Sequence, residues 1–148
     1  METLLTTEYP APAALLPHQP PMLLIDKILD YRPGVSLVAS KVVRGEEPFF
    51  DGHFPGNPIL PGVIMVEMMF QACGLYGRLD APQGQGAGKS GRAIRITEAS
   101  FRKEVSPGTE LTILVYFKHK LMSFSVYDAE VRSGKDLVAN ATITATIS

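Results

Sequence analysis

The stretch from Pro61 to Leu79 constrains this chain more than any other, because it has helical character and is apolar on nearly every side. Such a helix must be buried on nearly every side. One curved sheet covers only part of it, so the simplest architecture wraps a sheet around the helix and closes the remainder with a second subunit. Upstream, Pro55, Pro58 and Pro61 recur at three-residue intervals, which excludes a helix there and leaves an extended or turning loop. Pro61 itself is acceptable as the first helical position.

Two chemically active side chains fall in this region. Glu67 lies about two turns into the helix, between Val63-Ile64-Met65-Val66 and Met68-Met69-Phe70. A carboxylate there is costly unless it is neutral, paired or facing a cavity. Gln71, four residues on, shares its face and is placed to bond or orient it. His53 lies in the proline-stiffened loop between Gly52 and Phe54. The competing readings are plain ones: Glu67 and Gln71 as a narrow solvent stripe, and His53 as a turn cap. Pro61-Gly62-Val63 adds a third element, since the first amides of a helix have no internal partner and the dipole favours negative charge. Gly62 lets a ligand approach the backbone closely. Base, acid and oxyanion donors together suit removal of a proton beside a carbonyl with loss of a β-substituent. His18, in the lead-in Leu16-Pro17-His18-Gln19-Pro20-Pro21, and His119, between Lys118 and Lys120, read as structural or solvated.

The rest of the chain reads as strands. Met22–Tyr31 and Val35–Val43, joined at Arg32-Pro33-Gly34, form a hairpin. Arg92–Val105, Thr109–Lys118, Met122–Arg132 and Leu137 to the C-terminus follow, with turns at Ser106-Pro107-Gly108 and Ser133-Gly134-Lys135. Leu111, Ile113, Val115 and Phe117 alternate on one face, as do Leu137, Ala139, Ala141, Ile143, Ala145 and Ile147. Period-two patterning describes an antiparallel sheet covered on one face. The glycine-rich stretch Ala81–Gly91 lacks phosphate-loop spacing and reads as a connection. Residues 1–148 make one domain, with 1–16 a weakly specified arm.

Composition narrows the function classes. The chain is 45% hydrophobic with a formal net charge of −1, which supports a core and argues against nucleic acid as a partner. One cysteine excludes an internal disulfide framework, and with three histidines in no cluster a metal site is not expected. The N-terminus lacks a secretory pattern, and the helix is short for a membrane span. A cytoplasmic protein with no membrane role is expected.

GHFPGNPILPGVIMVE, followed by Gln71, resembles the signature of the β-hydroxyacyl-acyl carrier protein dehydratases. LLPHQPPMLLIDKIL is similar to the start of the FabZ-type branch, and Phe101-Arg102-Lys103 and Pro107-Gly108 also match. The separation of 14 positions between His53 and Glu67 agrees with the family pattern. Gly91-Arg92-Ala93 is similar to the FabA-type branch, which carries Asp where this chain has Glu67. The resemblance implies an α+β hotdog fold, an antiparallel sheet wrapped around one long central helix, paired into a double-hotdog dimer. It implies dehydration of (3R)-3-hydroxyacyl thioesters to trans-2-enoyl thioesters, in fatty acid or polyene biosynthesis. His53 would be the base, and Glu67 of the partner subunit would help the hydroxyl leave. The Gly62 amide would bind the thioester oxygen with Gln71 supporting Glu67, and Phe54, Pro61 and Val63 complete the expected substrate contacts. No cofactor is implied, the substrate riding on the phosphopantetheine arm of an acyl carrier protein. A carrier is acidic, so Lys89, Arg92, Arg95, Arg102 and Lys103 are expected to form its docking surface. A homodimer, a higher oligomer or a heteromer with a paralogue follows. The alternatives are a hotdog thioesterase and a non-catalytic acyl-binding paralogue.

Overall fold

The computed structural model describes residues 8–81 and 91–147. Pro12–Leu15 forms a single helical turn, α1, with Pro12 at its start. The strands are β1 (Lys27–Arg32), β2 (Ser36–Val42), β3 (Gly91–Phe101), β4 (Glu110–Leu121), β5 (Phe124–Ser133) and β6 (Asp136–Ile147). They form one sheet, antiparallel throughout, in the order β1-β2-β4-β5-β6-β3. The long helix α2, Gly62–Asp80, packs against β2, β3, β4, β5 and β6. This is the hotdog arrangement: a sheet curved around one helix about 28 Å long.

The period-two pattern does the wrapping. Leu37 and Ala39 of β2, Leu111, Ile113 and Val115 of β4, Ala129 and Val131 of β5, and Ala139 and Ile143 of β6 are buried against the helix. Met65, Met68, Met69, Ala72, Cys73, Leu75 and Tyr76 meet them from α2. Gly34 (φ 75°) and Gly134 (φ 59°) close the β1–β2 and β5–β6 hairpins in the left-handed region that glycine adopts most readily.

The departures from the expected strands have local causes. Met22–Ile25 is not in the sheet, because the amide of Leu24 and the carbonyl of Met22 bond the Gln71 side chain instead of a neighbouring strand; bonding to β2 begins with the Asp26 amide, which donates to the Ser40 carbonyl at 2.9 Å. β3 ends at Phe101 rather than Val105; the Val105 carbonyl turns to accept from the Leu60 amide at 2.7 Å. β4 extends to Leu121, and Met122 (φ 59°) belongs to the turn rather than to β5. Most of Ala81–Gly91 lies outside the described residues.

Two buried acids make the core sensitive to alkali. Burial pushes the Cys73 thiol well above its ordinary value, and burial, reinforced by Cys73, does the same to the Tyr127 hydroxyl. Both stay neutral in the fold while the unfolded chain ionises, so their contribution is complete below the ordinary values and is lost as pH rises past them. Each should cost about 1.4 kcal/mol per pH unit above that point. Urea midpoints should therefore fall steeply from about pH 9 upward; a flat midpoint to about pH 11 would contradict this burial.

Candidate active site

Glu67 is neither stranded in the core nor pointed at bulk solvent. Its side chain is 30% exposed and lines a recess of about 120 Å³ with Leu16, His18, Phe70, Gln71, Gly74 and Arg92. Gln71 explains why. Its side chain is buried and fully used: Oε1 accepts from the Leu24 amide at 2.9 Å, and Nε2 donates to the Met22 carbonyl at 2.6 Å and to Glu67 Oε2 at 2.8 Å. A flipped amide would set donor against donor at Leu24 and acceptor against acceptor at Met22, so its orientation is fixed. The plain reading of Glu67 and Gln71 as a solvent stripe is therefore wrong for Gln71.

His53 is held by the proline loop. Nδ1 contacts the Ile59 carbonyl at 2.8 Å, and the backbone of His53 bonds Phe50 and Ile59. The His53–Phe54 peptide is cis, and the Phe54 ring stacks on the imidazole with centroids 4.0 Å apart. With Nδ1 accepting no proton from a carbonyl, the neutral ring carries hydrogen on Nδ1 and leaves Nε2 as the free acceptor, the form a base requires. His53 is absent from the Glu67 recess, so one chain does not gather both groups around that cavity.

The start of α2 is open. Pro61 supplies no N–H, no side chain caps the helix, and no acidic residue occupies its first turn. The Ile64 amide bonds the Pro61 carbonyl, while the Gly62 and Val63 amides have no acceptor among the described residues. The room at Gly62 is taken by protein: a Cβ there would lie 3.2 Å from Cδ1 and Cε1 of Phe101. Glycine thus serves the approach of Phe101 as well as keeping the amide accessible.

The loop carrying His53 is tied to the sheet through a buried lysine that the sequence reading did not single out. Lys41 Nζ, 3% exposed, lies 2.6 Å from Glu47 Oε2, and Glu47 Oε1 accepts from the Arg44 amide at 2.9 Å. Arg44 in turn reaches Asp26 at 3.3 Å. Glu47 directly precedes the turn Pro48–Phe50 that leads to His53.

His18, read from the sequence as structural or solvated, lies beside Glu67. Its Nε2 lies 3.3 Å from Glu67 Oε2. Of the expected docking cations, Arg92 lines the Glu67 recess, and Lys89 lies outside the described residues. Arg102 bonds Asn140 at 3.3 Å, Lys103 pairs with Asp136 at 3.0 Å, and Arg95 is exposed. Among the described residues no group of three His, Cys, Asp or Glu is arranged to hold a metal ion, and no helix is long and apolar enough to cross a membrane.

A model of the FabA-like domain matches residues 16–142. The chain is 40% identical over 129 residues to a 3-hydroxyacyl-[acyl-carrier-protein] dehydratase FabZ of Bordetella petrii, covering 85% of each. It is 43% identical over 134 residues to the FabZ of Ehrlichia canis, covering 90% of each. Among solved structures, the dehydratase heterocomplex ApeI:P from Xenorhabdus doucetiae superposes with a TM-score of 0.76 at 18% identity, over 94% of this chain and 91% of that one. A mutant of the thioesterase SAV0944 from Staphylococcus aureus superposes with a TM-score of 0.64 at 17% identity, over 82% and 92%. These structural likenesses support the hotdog fold, which enzymes of different activity share. With a domain match running nearly end to end and relatives this similar over most of both chains, the chain belongs to the FabA-like family.

Proposed function

We infer that the chain is a dehydratase of 3-hydroxyacyl thioesters carried on an acyl carrier protein, working in the cytoplasm in fatty acid or polyene biosynthesis. The observation that carries the mechanism is the mooring of Glu67 by buried Gln71 at the edge of a recess. His53 Nε2 takes the α-proton; the C–H electron pair forms the C=C bond as the C–O bond breaks, and Glu67 delivers a proton to the departing hydroxyl, which leaves as water. The Gly62 and Val63 amides hold the thioester oxygen as it gains charge. Phe54, Pro61 and Gln71 shape the surroundings. The protein's own side chains and backbone supply every group in this sequence.

The separation of His53 from the Glu67 recess supports a site assembled from two copies. Exposed apolar side chains near the start of α2 and on edge strand β3 support the same reading: Val63 is 72% exposed, Ile94 50% and Phe101 51%. The heterocomplex described for ApeI:P extends the choice of partner to a paralogue.

Arg92, Arg95, Arg102, Lys103 and Lys89 would steer the carrier. The exposed pairs of Arg102 and Lys103 are worth only about 0–1 kcal/mol and exchange readily for an acidic partner. The test compares a carrier-bound 3-hydroxyacyl chain with a small 3-hydroxyacyl thioester. Enoyl product is expected from both, and the Arg102→Glu, Lys103→Glu double variant should lose roughly tenfold on the carrier substrate alone. Release of free thiol without enoyl product would establish the thioesterase alternative. Equal loss on both substrates would reject the docking surface.

A further inference from the structure

The recess beside Glu67 contains a second imidazole, and we propose that His18 is a positioning residue that joins Gln71 in holding Oε2 of Glu67 while Oε1 gives up the transferable proton. This rests on the dehydratase reading above. His18 Nε2 lies 3.3 Å from Glu67 Oε2, the same oxygen that accepts from Gln71 Nε2 at 2.8 Å. Because the Gln71 amide cannot turn over, Oε2 always faces an N–H. A hydrogen on Oε2 would collide with it, so the acid form of Glu67 carries its proton on Oε1. Once that proton has gone, the charge left on Oε2 is held by two donors.

The other side of the ring agrees. His18 Nδ1 is buried and has no hydrogen-bond partner among the described residues. A proton on Nδ1 would be an orphaned buried donor, a more costly arrangement than a bare lone pair. The neutral ring with hydrogen on Nε2 satisfies both observations and sets that N–H 3.3 Å from Glu67 Oε2. The charged and titratable groups facing the recess are His18 from the lead-in, Glu67 from α2 and Arg92 from β3; β6 contributes Ala145.

The lead-in is pinned on both sides of His18. Arg78 donates to the Leu15 carbonyl at 2.7 Å, and Leu16 presses on Gly74, where a Cβ would lie 3.2 Å from Leu16 Cδ2. Beyond His18, Gln71 holds Met22 and Leu24. Such anchoring suits a side chain whose task is to hold another in place.

The test uses His18→Ala, His18→Asn and His18→Gln in the full chain, measuring dehydration of a small 3-hydroxyacyl thioester. Glutamine places its amide nitrogen close to the Nε2 position, whereas asparagine places it close to Nδ1. His18→Ala and His18→Asn should lower kcat roughly 10–100-fold with KM within about twofold. His18→Gln should recover kcat to within about threefold of wild type. Equal kcat in the asparagine and glutamine variants would overturn the proposal, as would a wild-type kcat in His18→Ala. If His18→Ala fails to fold, the asparagine–glutamine pair, both polar and close in volume, decides alone. A wild-type chain that dehydrates no thioester would instead reject the underlying reaction.

Discussion

Replacing His53 by alanine should reduce dehydration by roughly 10²–10⁴-fold, and Glu67→Gln should do the same, because each removes a proton-transfer group. Neither change should unfold the chain. His53 is half-buried in a loop whose backbone bonds remain, and glutamine is the same shape as glutamate and still offers Gln71 an acceptor. The more telling result comes from mixing them. If each site takes His53 from one copy and Glu67 from another, half of randomly re-associated dimers are mixed and each mixed dimer has one intact site of two. Unfolding and refolding an equimolar mixture of the two dead variants should then recover about a quarter of wild-type activity. No recovery, with dimers demonstrably re-formed, would place both groups of the site in one chain.

The second large effect concerns stability. Lys41→Ala should destabilise the fold by about 3–5 kcal/mol, since it leaves Glu47 buried without its cation. Glu47 is 15% exposed and Lys41 3%, so solvent screens little of this. Replacing both, as Lys41→Met with Glu47→Leu, should recover most of the loss because no unpaired charge remains. Denaturant midpoints of the two single variants and the double would settle it; additive losses would mean that the two groups do not depend on each other.

How far these features could be read from residues alone depended on whether their causes were local. The helix was placed within one residue at each end, because an all-round apolar run after three spaced prolines has few alternatives. The sheet followed from alternation at Leu111–Val115 and Ala139–Ile143. What failed was set by distant partners. Met22–Ile25 has the composition of a strand, but the Leu24 amide and the Met22 carbonyl bond the side chain of a glutamine 47 residues away from Leu24. Val105 was drawn out of β3 by Leu60. At the site, Glu67 and Gln71 were legible because a carboxylate and an amide four apart in an apolar helix have little else to do. His18 was not legible, because nothing within the lead-in says that it folds back over α2. Lys41 looked like the polar member of an alternating strand, and only the path of the chain to Glu47 buries it.

An amide has no ionisable proton, and that gives Gln71 a consequence for how the catalyst responds to its surroundings. Acidifying or basifying the medium leaves its bonds to Met22 and Leu24 as they were, so the strut beneath Glu67 stays anchored to the lead-in whatever the charge on the carboxyl. Glu67 is thus moored to a group that keeps the same charge at every pH.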